Sequence, residues 1–157
     1  MATIPGMTPG AVQVRRTFAA PRTRVFQAWV DPQVMTQWFA RGPDMAPVTV
    51  VEADARAGGR YRVDCLCPPD NKVYKMTGTY SEVRPPEKLV FSWWWEGADF
   101  EPSRVSVEFR ELGPASTEVI LTHELLPEPQ REEHRKGWIG CFEMLERALS
   151  ARTKEKS

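Results

Sequence analysis

Two histidines are the only imidazoles in the chain, and both fall where chemistry could be done. His123 shares a strand face with Thr117, Val119 and Leu121, which turns it inward. His134 sits on an apolar helical stripe, one turn before Trp138. A pair placed so could exchange protons with a substrate held between them, if their pKa values were shifted to suit. The same positions equally suit hydrogen-bonded histidines at the edge of a core. The run HELLP at 123–127 begins like a zinc-protease helix, but Pro127 stands where the second histidine would be. Cys65 and Cys67 lie two apart with neither a nearby histidine nor a second pair, so a metal centre is not expected. The Glu132-Glu133-His134 run is expected to be a solvated early helical turn. The sequence contains neither a glycine-rich phosphate loop nor a serine nucleophile elbow. No catalytic residue, metal or cofactor is assigned from these motifs.

The second unusual feature is LVFSWWWEG, residues 89–97, which holds three of the six tryptophans. On a strand, Leu89, Phe91, Trp93 and Trp95 share one face, and Val90, Ser92, Trp94 and Glu96 share the other. Ser92 and Glu96 mark the second face as the wetter one. The aromatic face then lies under a helix. Burying one Trp removes ~150–250 Å² from water, an upper bound of about 4–6 kcal/mol each. Trp93 and Trp95 are therefore core packing or the wall of a cavity. Trp94 faces away. Either a two-fold homodimer pairs that face with itself, or the ring lies on Arg or Lys stems of neighbouring strands.

These residues need elements to position them. Val12, Val14, Arg16 and Phe18 share one face of an opening strand, ended by Ala20-Pro21. Val25, Phe26 and Trp29 recur at helical spacing. Asp31-Pro32 then supplies an N-cap and a proline at the first position of a second short helix, carrying Val34, Met35, Trp38 and Phe39. Strands follow over 48–54, from Arg60, over 73–83, 89–96, 103–110 and 117–124. They are separated by Gly58-Gly59, a loop at 68–71, Pro85-Pro86 and Leu112-Gly113-Pro114. Trp138, Phe142, Leu145 and Leu149, widened by Cys141 and Ala148, form the apolar face of a long last helix, with Glu143, Glu146 and Arg147 outside. Gly137 and Gly140 within that helix each cost about 1 kcal/mol relative to alanine, and relief of crowding beside Trp138 or a close backbone approach would explain them. One strand, two short helices, six strands and one helix make an α+β domain whose sheet carries the last helix.

The whole chain sets the bounds. Its 157 residues suit one domain, expected over 11–152 with a loose arm at 1–10 and a short tail at 153–157. Hydrophobic residues are 41% and charged residues 27%, typical of a folded globular chain. Lys plus Arg and Asp plus Glu are 21 each, with no basic stripe, so nucleic acid is not an expected partner. No apolar run approaches the ~18 residues of a membrane span, and MATIPGMTPG has no secretory pattern. With three cysteines against a disulfide framework, the cytoplasm is the expected compartment.

The segment RRTFAAPRTRVFQAWVDPQVMTQWF resembles the opening of the SRPBCC, or START-like, domains, and in particular the AHSA1-like branch of heat-shock-protein-90 ATPase activator homologues. The resemblance is carried by Arg16, Phe18, Ala20, Pro21, Val25, Phe26, Trp29, Asp31, Pro32 and Trp38. It continues through Gly58-Gly59-Arg60, Gly78, Pro86 to Phe91, Leu121 to His123, and His134, Gly137 and Trp138. The chain departs from the pattern at Ala57 and at Trp94. The resemblance implies a helix-grip fold: a curved seven-stranded antiparallel sheet, two short helices after the first strand, and a long C-terminal helix. It also implies a cavity between sheet and helix for a small, mostly apolar molecule. Trp38, Phe91, Trp93, Trp95, His123, His134, Trp138 and Phe142 would line it. A cyclase- or hydratase-type enzyme using His123 or His134, and a co-chaperone-like interaction module in stress response, are the alternatives the resemblance leaves open.

Overall fold

A computed structural model describes residues 11–40, 48–67 and 72–156. The expected arm at 1–10 and the loop at 68–71 lie outside the described residues. β1 (Val12–Phe18) is followed by α1 (Arg22–Val30) and α2 (Pro32–Trp38). Then come β2 (Thr49–Ala53), β3 (Arg60–Cys67), β4 (Lys72–Arg84), β5 (Lys88–Trp95), β6 (Ser103–Gly113) and β7 (Ser116–Glu124), and α3 (Glu128–Lys156) closes the chain. The backbone of α3 continues helical past the expected domain end at residue 152.

The seven strands form one antiparallel sheet in the order β1-β7-β6-β5-β4-β3-β2. β2 to β7 are a meander, because short turns leave consecutive strands side by side. β1 pairs with β7, with Val12 opposite His123 and Phe18 opposite Thr117. Its connection to β2 must therefore cross the sheet, and α1 and α2 make that crossing. This is the helix-grip arrangement.

Local chemistry explains the helix boundaries. Asp31 caps α2, its carboxylate accepting from the Gln33 N–H at 3.0 Å, with Pro32 at the first position. The helix stops at Trp38; Phe39, expected within it, is extended at the C-cap, where its ring turns back into the core. The predicted stripe of α3 is buried: Trp138, Cys141, Phe142, Leu145, Ala148 and Leu149 all face the sheet, while Glu143, Glu146 and Arg147 are exposed. α3 is tied down by Arg16 to Glu146 and by the Arg24 guanidinium donating to the Leu149 carbonyl. Gly78 in β4 is needed sterically. A Cβ there would meet the Ser92 carbonyl oxygen at 2.0 Å and the Tyr61 ring at 2.3 Å, so only glycine lets Tyr61 lie across the strand and donate its hydroxyl to Ser92 at 2.6 Å.

The middle of the wedge between sheet and helices is filled with aromatic rings. Trp29 meets Trp38 edge-on at 4.5 Å, stacks on Trp138 at 6.2 Å and touches Phe142 at 6.1 Å. Trp38 is wholly buried and donates its indole N–H to the Ala28 carbonyl at 2.8 Å. No helix among the described residues is long and apolar enough to cross a membrane.

Candidate functional site

The strand parity of the tryptophan run holds. Trp93 and Trp95 share a face and meet edge-on at 5.9 Å. Trp93 is 4% exposed and lies against Trp138 at 4.6 Å, while Trp95, two residues nearer the strand end, is only half-buried. Phe91, Trp93, Trp138 and Phe142 join one contiguous ring cluster through Phe39 and Trp29. Phe91, Trp93, Trp138, Phe142, Trp38 and His123 all lie in the packed interior. Trp95 and His134 are the members of the expected set that reach the lining of an open space.

That space is a cleft of about 790 Å³ at one end of the wedge. The start of β4 contributes Tyr74 and Lys75. The end of β5 and the loop after it contribute Trp95 and Phe100, and the first turns of α3 contribute Gln130 and His134. Tyr74 and Trp95 meet edge-on at 6.5 Å. Three aromatic rings with a few polar groups are the usual composition of a small-molecule site. Tyr74, Phe100 and Gln130 are additions that sequence reasoning missed. The alternation of β4 carries no mark of where the covering helix ends, and Phe100 lies in a loop with no periodicity at all. The one available signal was the one-turn spacing of Gln130 and His134, which places both on one face of α3.

Trp94 faces away from that cluster but its ring is half-buried. Its indole N–H donates to the Phe100 carbonyl at 2.9 Å, which folds the loop after β5 against the strand. Trp94 thus anchors the loop after β5. Val90, on the same face, is also buried, between Glu82 and Ser106 on the flanking strands.

The two histidines differ in chemistry. His123 is wholly buried and saturated. The Trp138 indole N–H donates to its Nδ1 at 3.0 Å, and its Nε2 lies 2.6 Å from the Ser103 Oγ. An indole nitrogen can only donate, so Nδ1 must be the unprotonated nitrogen and Nε2 carries the hydrogen. Nε2–H then donates to Ser103, whose hydroxyl donates onward to the Trp93 carbonyl at 3.1 Å. Every proton in the chain runs away from Trp138. A serine nucleophile requires the reverse polarity, with the imidazole accepting from the hydroxyl. Burial, and then the neighbouring His134, push the His123 pKa down to about 3, so the ring is neutral.

His134 donates from Nδ1 to the Gln130 carbonyl at 2.8 Å, one turn back on α3. Its Nε2 is then an acceptor, and that atom is buried with no partner. Burial holds its pKa below the ordinary histidine value, partly offset by the Gln130 hydrogen bond and the Glu133 charge. The rings of His123 and His134 are 5.4 Å apart, but His123 presents no free nitrogen to the cleft. Among the described residues, no three His, Cys, Asp or Glu side chains converge on a point that could hold a metal. Cys65 is buried and donates weakly to the Ala40 carbonyl.

Comparison with known proteins agrees with this architecture. Residues 19–150 match the family described as Activator of Hsp90 ATPase homolog 1-like protein. The fold superposes on a crystal structure from Chromobacterium violaceum with a TM-score of 0.76 at 24% identity, covering 88% of this chain and 96% of that one. A solution structure from Arthrobacter aurescens gives 0.79 at 19% identity, over 90% and 86%. The crystal structure of CalU16 from Micromonospora echinospora gives 0.66 at 23%, over 95% and 84%. No functionally curated protein matches the chain by sequence.

Proposed function

The chain belongs to the Activator of Hsp90 ATPase homolog 1-like family, and on that premise we propose that it binds a small, mostly apolar molecule in the cleft between β4, β5 and the start of α3. The observation that carries this reading is the cleft itself. Its volume of about 790 Å³ falls in the range of small-molecule sites, ~300–1,000 Å³. Tyr74, Trp95 and Phe100 offer flat apolar faces, with Lys75, Gln130 and His134 as polar groups around them. The ligand class this favours is aromatic, because ring edges and faces recognise one another beyond simple area burial.

A proton-transfer enzyme is the weaker reading. His123 is committed on both nitrogens, which leaves His134 without a second imidazole to work with.

Native mass spectrometry of the protein as purified tests for a carried molecule, and naphthalene titration followed by tryptophan fluorescence tests the cleft directly. Binding should saturate at one molecule per chain, and Trp95→Ala should weaken it about tenfold or more. Absence of binding, or binding indifferent to Trp95→Ala, rejects the cleft as the site.

A further inference from the structure

Two buried polar atoms without partners lie next to the cleft, and they are complementary. Trp93 Nε1–H is a donor that finds no acceptor, in a side chain 4% exposed. His134 Nε2 is an acceptor that finds no donor. Their rings are 6.3 Å apart at an interplanar angle of 74°, and Trp93 also touches Trp95. The other indoles nearby are different. Trp38, Trp94 and Trp138 each donate to an atom of the chain, at 2.8, 2.9 and 3.0 Å. Trp29 also lacks a partner, but it packs among Trp38, Trp138, Phe109 and Phe142, away from the cleft lining.

A folded chain rarely leaves a buried donor unpaired, because each such group costs about 1–3 kcal/mol. Trp93 lies one ring behind the lining, against Trp95 and His134. Where a donor and an acceptor are orphaned on adjoining rings beside an open space, a group that can both accept and donate satisfies both. A hydroxyl does this with one oxygen, and an aliphatic or ether group does not. The aromatic lining above would receive the ring that carries it.

We propose that the cleft selects an aromatic hydroxy compound, whose hydroxyl passes between Trp95 and His134 to accept from Trp93 Nε1–H behind the lining and donate to His134 Nε2. The inference rests on the cleft being the binding site, and it adds the polar anchor. Selection would come as much from rejection as from attraction. A ligand without the hydroxyl seals two polar groups away from water with nothing to pair them, and such mismatches discriminate more strongly than a missing methylene. His134 is pre-set for the part, because its Nδ1 bond to Gln130 fixes both tautomer and ring orientation.

Three probes decide the matter on the unmodified protein: 2-naphthol, 2-methoxynaphthalene, which can only accept, and naphthalene, which can do neither. Expected is binding of 2-naphthol about tenfold or more tighter than of the other two. The indole N–H resonance of Trp93, assigned with Trp93→Phe, should shift downfield with 2-naphthol. In His134→Leu, whose folding is checked by its melting curve, 2-naphthol should lose its advantage and bind within about twofold of 2-methoxynaphthalene, while naphthalene still binds. Equal affinities for the three probes, all weakened by Trp95→Ala, would overturn the polar anchor and leave the cleft as a plain apolar site. Failure of every probe to bind, or binding unaffected by Trp95→Ala, would overturn the cleft and the anchor together.

Discussion

Under the middle of α3, Trp29, Trp38, Trp138 and Phe142 pack ring against ring and are sealed from solvent. At the end where α3 begins, Tyr74, Trp95, Phe100 and His134 surround about 790 Å³ of open space. The residue types are nearly the same in the two regions. What differs is the number of layers. In the middle, α1 and α2 insert Trp29 and Trp38 between the sheet and α3, so the wedge is filled. At the end, neither α1 nor α2 contributes to the lining between β4–β5 and α3, and the rings there border open space. Aromatic residues stabilise where they interdigitate and recognise where they do not, and the crossover helices determine which.

The largest way to break the comparison is Trp138→Ala. It deletes a ring that meets Trp29, Trp93 and Phe142 and removes the donor to His123. A loss of about 3–5 kcal/mol in urea-denaturation stability is expected. A loss under about 1 kcal/mol would mean that the middle is as loosely packed as the cleft.

Acid titration probes the boundary between the regions. The His123 pKa is about 3 in the folded state, below the unfolded value of 6.5, so the folded state binds fewer protons between these pH values. Stability attributable to His123 is then present above pH 6.5 and is lost as pH falls toward 3. At ~1.4 kcal/mol per pH unit, the loss between pH 6.5 and 4 is roughly 3 kcal/mol. His134, the neighbouring titrating group, shifts in the same direction. Denaturation curves of His123→Gln, which keeps a polar side chain with no proton to gain, should fall less steeply over this range. Parallel curves would show that His123 titrates normally.

Trp94→Phe should cost about 1 kcal/mol by losing the bond to Phe100, and should raise amide exchange in the loop after β5. Unchanged exchange there would return Trp94 to the outer face as a surface residue, and sedimentation at several concentrations would then test it as a dimer contact. The smallest effect on stability is expected from Trp95→Ala, under about 1 kcal/mol, because its ring is half-exposed. Its effect on ligand affinity should far exceed that, which is the mark of a lining residue.

Much of the frame was legible in the chain. The alternation of the strands, the Asp31-Pro32 start of α2 and the four-residue stripe of α3 are local signals with fixed periods, and each appears where its period puts it. The face shared by Trp93 and Trp95 follows from the same rule. The helix-grip fold follows from the order of these elements together with the family's motifs. Period alone could not say that Phe39 leaves the helix to enter the core, or that Trp94 turns back onto its own loop.

The candidate site was less legible, and the two histidines show why. Sequence placed both on inward faces, which is correct for each, and offered them as equals. Tertiary contacts separated them. Trp138 and Ser103 come from different elements, and only their convergence on His123 sets its tautomer and removes it from acid–base chemistry. His134 is left with one nitrogen bound to its own helix and one buried without a partner beside the cleft. The chain by itself determined which faces are apolar, because a strand or helix repeats on a period any reader can count. Where the apolar faces meet and where they leave a gap depends on helix lengths, crossing paths and the reach of individual rings. Those are properties of three-dimensional packing, and the folded structure alone decided them.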